Sequence, residues 1–266
     1  MDQLCIDIDK GERLANEPIG IDSLKNDKNL MLFPFCSTSK ALRFKAIKYI
    51  SKDKKLSLEV TANHEYGMVK IWDFDILRFV FSKIDTIAKR TGHHPSAVTF
   101  SAYECLKFLG RNPKAGKNIN WLKEALDRLA STTYKGNIFK EESKHVIGFT
   151  LVKYDYVETS KGIDKISISL DERLVSSLRN SNSLVTINER VLEETSGLKK
   201  RLLELVALKL STEGTWIVSV DELQCLCANS WSIAKFKNEV KSFHDLPWGI
   251  SEVKVNDESC IRFLKK

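Results

Sequence analysis

The stretch Gly110-Arg-Asn-Pro-Lys-Ala-Gly116-Lys117-Asn118 holds residue types that can cradle a phosphate: two glycines around a basic turn, then a lysine. Its spacing argues against that use. A phosphate-binding loop needs four residues between its glycines and a Ser or Thr after the lysine for Mg²⁺, whereas this stretch has five and Asn118. It also follows a helical pattern rather than a strand, so a basic turn ahead of a surface helix accounts for Arg111, Lys114 and Lys117. Cys225-x-Cys227 has no second Cys or His pair at ligand spacing, and on a helix the two side chains point apart, which makes them core thiols. A metal-dependent nicking nuclease needs two imidazoles converging on one ion, but His93 and His94 are adjacent and suit a loop before Pro95. His64, His145 and His244 have no partner in the sequence, and no Ser/His/Asp or carboxylate arrangement stands out. The expectation is a protein without catalytic residues, metal or cofactor.

Another chemistry is written twice. Asn118, Asn120, Lys123 and Arg128 share the polar face of one helical pattern, with Arg111, Lys114 and Lys117 in the turn before it. Ser230, Ser232, Lys235, Lys237, Asn238 and Lys241 do the same in a second pattern. Amides and hydroxyls match base edges, and cations match phosphates. Any surface helix can carry such a face, but two of them inside one recurring element order favour DNA contact. A third basic run, Lys40 to Lys55, interleaves cations with Phe44, Ile47, Tyr49 and Ile50; it reads either as a phosphate contact or as the solvated face of a strand pair.

The elements that would position these faces follow from periodicity. Ile76, Leu77, Val80, Ile84 and Ile87 recur at helical spacing after Asp73, a good N-cap, and before Gly92. A short strand around Val98 and Phe100 leads to a helix capped by Ser101, and Ile119, Leu122, Leu126 and Leu129 mark a third helix. Thr132–Ile138 and Val146–Val157 read as a hairpin with a charged tip at Lys140–Lys144. The order then recurs. Strand Lys165–Leu170 and a short helix from Asp171 precede a long helix over Leu198–Leu210, strand Trp216–Val220 and a helix capped by Asp221. A turn at Asn229-Ser230, a helix bearing Ile233, Phe236, Val240 and Phe243, and a hairpin over Gly249–Val255 and Ser259–Phe263 complete it. The fold expected is α+β: two tandem winged-helix domains, each with three main helices and a β-hairpin wing. Residues 1–30 are polar without apolar period and are expected to form a flexible N-terminal arm; residues 31–180 make the first domain and 190–266 the second. The apolar stripes of Trp72–Lys89 and Leu198–Leu210 are wide, which suits burial between the modules or a self-association surface.

Composition agrees. The 266 residues include 42 Lys+Arg against 35 Asp+Glu, a net charge of +7, which favours a polyanionic partner. With 42% hydrophobic and 29% charged residues the chain is a folded, soluble type. No apolar run is long enough for a membrane span, and Met1 opens onto Asp2, Asp7 and Asp9 rather than an export signal, so a cytoplasmic location with reduced cysteines is expected.

Six segments carry a resemblance: Tyr66–Leu77 (YGMVKIWDFDIL), Phe100–Arg111 (FSAYECLKFLGR), Leu122–Thr133 (LKEALDRLASTT), Leu184–Asn188 (LVTIN), Gly197–Leu205 (GLKKRLLEL) and Phe236–Lys241 (FKNEVK). From about Leu32 to the C-terminus the chain resembles the bacterial plasmid replication initiator protein A family. The resemblance implies a non-enzymatic initiator with two winged-helix modules. Such a protein binds repeated double-stranded sites (iterons) at a plasmid origin, promotes its opening and recruits the host initiator and replicative helicase. It further implies a homodimer, formed through the first module, in equilibrium with monomer. Carried onto this chain, it marks Lys123 and Arg128 in the first helix and Lys235, Lys237 and Lys241 in the second as DNA contacts. The alternative is a winged-helix transcriptional repressor of a plasmid or phage origin, which would use the same contacts.

Overall fold

The computed structural model describes residues 10–139, 146–160, 162–180, 183–211, 214–243, 250–256 and 260–265. Its elements begin with α1 (residues 10–15), β1 (Lys25–Asp27), α2 (Lys28–Leu32), β2 (Ile47–Ile50) and β3 (Ser57–Thr61). Next come α3 (Phe74–Thr91), β4 (Ala97–Ser101), α4 (Ala102–Phe108), α5 (Gly116–Ser131), β5 (Thr133–Gly136), β6 (Ile147–Phe149), β7 (Val152–Thr159), β8 (Gly162–Leu170) and α6 (Glu172–Arg179). The chain ends with β9 (Leu184–Thr186), a 3₁₀ turn (Glu189–Glu193), α7 (Gly197–Leu210), β10 (Thr215–Ser219), α8 (Val220–Leu226), α9 (Ile233–Ser242), β11 (Ile250–Asn256) and β12 (Cys260–Lys265).

In this α+β chain one element order occurs twice. In the first unit, helix α3, strand β4, helices α4 and α5 and hairpin β7–β8 follow one another, and the sheet runs β4-β8-β7. In the second, α7, β10, α8, α9 and β11–β12 follow, and the sheet runs β10-β12-β11. In both, the short strand pairs antiparallel with the returning strand of the hairpin: Val98 opposes Ile168, and Val218 opposes Ile261. In both, a serine ends the short strand and caps the next helix, Ser101 accepting from the Glu104 N–H and Ser219 from the Glu222 N–H. Asp221, the residue expected to cap α8, therefore lies inside it, because the short strand ends two residues earlier. Each unit has its own core: Leu122, Leu126 and Leu129 of α5 pack under α3 in the first, and Phe236 and Val240 of α9 pack with Leu202 and Val206 in the second.

Two expectations change. The strand Thr133–Gly136 does pair with Ile147–Phe149, but in a separate sheet of order β2-β3-β5-β6 rather than as the hairpin of the unit. That role belongs to β7–β8, so Lys165–Leu170 closes the first unit instead of opening the second; its alternating Ile166 and Ile168 face Phe100 and Val98. The tip expected at Lys140–Lys144 and the turn of the C-terminal hairpin lie outside the described residues.

The second change concerns the amino-terminal segment. Residues 10–30 are not a flexible arm: α1 packs on the core through Ala15, and β1 pairs antiparallel with β9, which joins Lys25–Asp27 to Leu184–Thr186. Asn26 and Asp27 are buried although polar, because every group is matched. The Asp27 carboxylate accepts from the Asn29 and Leu30 N–H groups at 2.9 and 3.1 Å and from Ser177 Oγ at 2.7 Å, and burial raises its pKa above the usual carboxylate value. Residues 1–9 lie outside the described residues.

The units meet along α3 and α7, whose wide buried faces are the ones expected from their stripes. The contact is not only apolar. Asp75, Arg78, Lys200 and Glu204 form a buried ionic chain across it: Lys200 Nζ reaches Asp75 at 2.7 Å, and Arg78 pairs with both Asp75 and Glu204. Asn26 donates to Glu204 at 3.0 Å, and Arg201 donates to the carbonyls of Leu226, Leu30 and Phe33. Removing one member leaves an unpaired buried charge, so this seam specifies one arrangement of the two units.

Candidate nucleic-acid interface

α5 is preceded by the turn that holds its cations. Gly110 takes φ +67°, Asn112 Oδ1 accepts from the Lys114 N–H at 2.9 Å, and Asn118 Nδ2 returns to the Asn112 carbonyl at 2.9 Å. Asn118 thus builds the turn rather than projecting from it. Lys114, Lys117 and Asn120 are exposed. Arg111 lies back on the helix, its guanidinium 3.7 Å from the centre of the Trp121 ring.

The carboxyl-terminal half of α5 differs from the expectation. Arg128 is buried and cannot serve as an outward DNA contact: its Nε and Nη2 hold the two oxygens of buried Asp73 at 2.7 and 3.0 Å. Asp73 is accordingly not a side-chain cap for α3; it accepts Arg128 and the Lys70 N–H. Lys123 is turned toward the hairpin, where it pairs with Glu158 of β7 above the Tyr156 ring, and Tyr154 donates to Asp127 one turn further on. The helix is therefore braced against the β7–β8 hairpin. Its exposed strip runs through Lys117, Asn120 and Glu124.

α9 keeps its polar side chains outward. Ser232 caps it by accepting from the Lys235 N–H at 3.4 Å; Lys235, Asn238 and Lys241 are exposed and Lys237 is partly so. Lys235 Nζ sits 4.4 Å from the centre of the exposed Trp231 ring. The preceding turn is held by Asn229 Oδ1, which accepts from the Trp231 N–H at 2.9 Å, and by Gln224, which donates to the Trp231 carbonyl at 2.7 Å. Ala228, not Asn229, takes the left-handed backbone, at φ +49°. Cys227 is buried and its thiol is pushed up to about 12 by burial, but Cys225 on the other side of α8 is exposed, so only one of the pair is a core thiol.

The basic run at Lys40–Lys55 divides. Lys48 and Lys52 are matched by Glu59 and Glu222, the latter from α8 of the second unit. Lys40 and Lys45 are exposed, and Arg43 is stapled between its own Lys45 carbonyl at 3.0 Å and the Ala228 carbonyl of the second unit. Arg43 and Trp231 now share one cleft, a grouping that sequence reading missed. Among the described residues no group of three or more His, Cys, Asp or Glu comes together as a metal site, and no helix is long and apolar enough to cross a membrane. His93 bonds Glu12 of α1 at 3.0 Å.

The family model "Replication initiator protein A" matches residues 25–247, from strand β1 through helix α9 and short of the β11–β12 hairpin. The chain belongs to the replication initiator protein A family. Over 181 residues it is 26% identical to a "Putative replication protein" of Wigglesworthia glossinidia brevipalpis, a match covering 66% of this chain and 65% of that protein. Two solved structures of domains 2 and 3 of RctB are similar in fold at 12% identity: one with a TM-score of 0.57 over 85% of this chain and 92% of that one, the other with 0.55 over 90% and 96%. The family match begins at Lys25, earlier than the six segments alone indicate, and the match to the Wigglesworthia protein spans just under two thirds of that protein's length.

Proposed function

We propose that this family member is a non-enzymatic plasmid replication initiator whose two units are winged-helix modules reading repeated double-stranded DNA sites at the origin. α5 and α9 enter successive major grooves, and the β7–β8 and β11–β12 hairpins serve as wings toward the backbone. The observation that carries this reading is the twofold recurrence of one element order and one strand order, each time with a lysine-bearing third helix on the surface. Net charge +7 supports an anionic partner. The rigid seam between α3 and α7 supports the recognition of sites at a fixed spacing. Opening of the origin, recruitment of the host initiator and helicase, a cytoplasmic location and a homodimer in equilibrium with monomer belong to the same proposal.

The test is a footprint on DNA flanking the gene, followed by binding to the protected repeat across a salt series. Lys114, Lys117, Lys235, Lys237 and Lys241 stand on the two outer surfaces, so five phosphate contacts predict a slope of log K against log salt of about −4.5. A slope near zero, or no protected repeat, overturns the reading. Sedimentation of the free protein over a concentration series tests the dimer.

A further inference from the structure

Between the two units lies a cleft of about 630 Å³ whose chemistry the duplex reading does not use. One wall is the loop before β2, with Lys40, Leu42, Arg43, Phe44 and Lys45; the other includes the α8–α9 turn with Trp231. Of its sixteen lining residues three are cations and none is acidic. Phe44 is 53% exposed, Leu42 48% and Trp231 38%, so rings and a branched aliphatic chain face water beside the positive charges.

The walls are fixed. Arg43 donates across the cleft to the Ala228 carbonyl, and Thr38 Oγ1 donates to the Cys227 carbonyl at 3.2 Å. At Gly197, the first residue of α7, an added Cβ would lie 2.1 Å from the Thr38 carbonyl oxygen, so the close approach of loop and helix needs glycine there.

Cations alone would suit the phosphates of a duplex, but a duplex backbone offers no apolar face to exposed Phe44, Leu42 and Trp231. Unpaired nucleotides offer both a phosphate and a stacking face. We infer that this cleft binds single-stranded DNA, its lysines and Arg43 on the phosphates and the Phe44 and Trp231 rings on unstacked bases. The inference rests on the initiator reading, since an opened origin supplies such a strand, and it gives the chain a second DNA site that adjoins α9, whose Lys235 lies over the Trp231 ring.

Fluorescence anisotropy of the full chain with labelled dT20 at low salt tests it, beside the footprinted duplex repeat. The expected result is salt-dependent binding of dT20 that Phe44→Ala weakens about tenfold while duplex affinity stays within twofold. Phe44 is exposed enough for the variant to fold, and an unchanged urea midpoint checks that. Trp231→Phe should keep most of the dT20 affinity but remove part of the tryptophan quenching that dT20 causes. Failure to bind dT20, or a Phe44→Ala variant with unchanged dT20 affinity, overturns the proposal. Equal weakening on duplex and dT20 overturns it too, by placing the cleft on the duplex path. If polyaspartate displaces dT20 as well as unlabelled dT20 does, the cleft reads charge alone, as an acidic protein partner would require, and the proposal falls. A failed footprint with intact dT20 binding would instead sink the duplex reading and leave this site standing.

Discussion

α5 and α9 occupy the same place in their units and carry the same apolar spacing, Ile119, Leu122, Leu126 and Leu129 in one and Ile233, Phe236, Val240 and Phe243 in the other. Their cations have different fates. On α5, Arg128 is held by Asp73 and Lys123 by Glu158; on α9, Lys235 and Lys241 are exposed, Lys235 lying over the Trp231 ring. The difference lies in the neighbours rather than in the helix. α5 runs between the start of α3, which supplies Asp73, and the long β7 strand, which supplies Glu158 and Tyr154, so its cations brace the unit. A basic residue on a third helix thus stays at the surface only where no carboxylate comes within reach.

The sharpest way to break that contrast is to remove one cation from each helix. Arg128→Ala leaves the buried Asp73 carboxylate without its bidentate partner and should cost about 3–5 kcal/mol of folding stability, read from urea unfolding. Arg128→Lys should rescue only part of this, since an ammonium cannot bond both oxygens in the same plane. Lys241→Ala is expected to move stability by less than about 0.5 kcal/mol. If Arg128→Ala unfolds no more easily than Lys241→Ala, the bracing role assigned to Arg128 is wrong.

Next in size is the electrostatic effect on binding. Replacing Lys235 and Lys241 together by Ala should make the salt slope on the duplex repeat shallower by about 1.8, with a uniform loss of affinity across sequences if both meet phosphate. Replacing Lys114 and Lys117 in the same way should give a similar change, because both are exposed, one just ahead of α5 and one in its first turn. A slope left intact by the α9 pair would remove that helix from the interface.

What the sequence shows and what it hides follow the same division. The third helices, the Ser101 cap and the twofold order are legible because they depend on residues within one turn or one element, while the cap of α8 is Ser219 rather than the expected Asp221. The partner of β4 was not legible: β8 follows α4, α5 and three other strands, and the nearer Thr133–Gly136 has equally good strand character. Lys25-Asn26-Asp27 reads as a solvated segment because, beyond the local cap that Asp27 makes on α2, its partners include β9, Ser177 and Glu204, all more than a hundred residues away. Arg128 failed for the same reason, its polar type suggesting solvent while Asp73, 55 residues earlier, takes it inside. Arg43 and Trp231 each had a visible signal, one within a basic run and one just before a capped helix, but only the docking of the units puts them in one cleft.

The smallest effect sharpens the comparison most. The Lys123–Glu158 pair is partly exposed, with Glu158 more than half accessible, so solvent screens it and breaking it should leave folding almost unchanged. Glu158→Gln keeps the shape of the β7 side chain but removes the charge that holds Lys123 against the hairpin. If α5 lies along DNA, the released lysine gains a phosphate and the deleted carboxylate no longer repels one. Affinity for the duplex repeat should then rise about two- to fivefold and the salt slope steepen by as much as one contact, about 0.9. If α5 is only a brace and α9 alone meets DNA, Glu158→Gln leaves both quantities where they were. The same substitution thus decides whether the first unit reads DNA through its third helix or only positions the second.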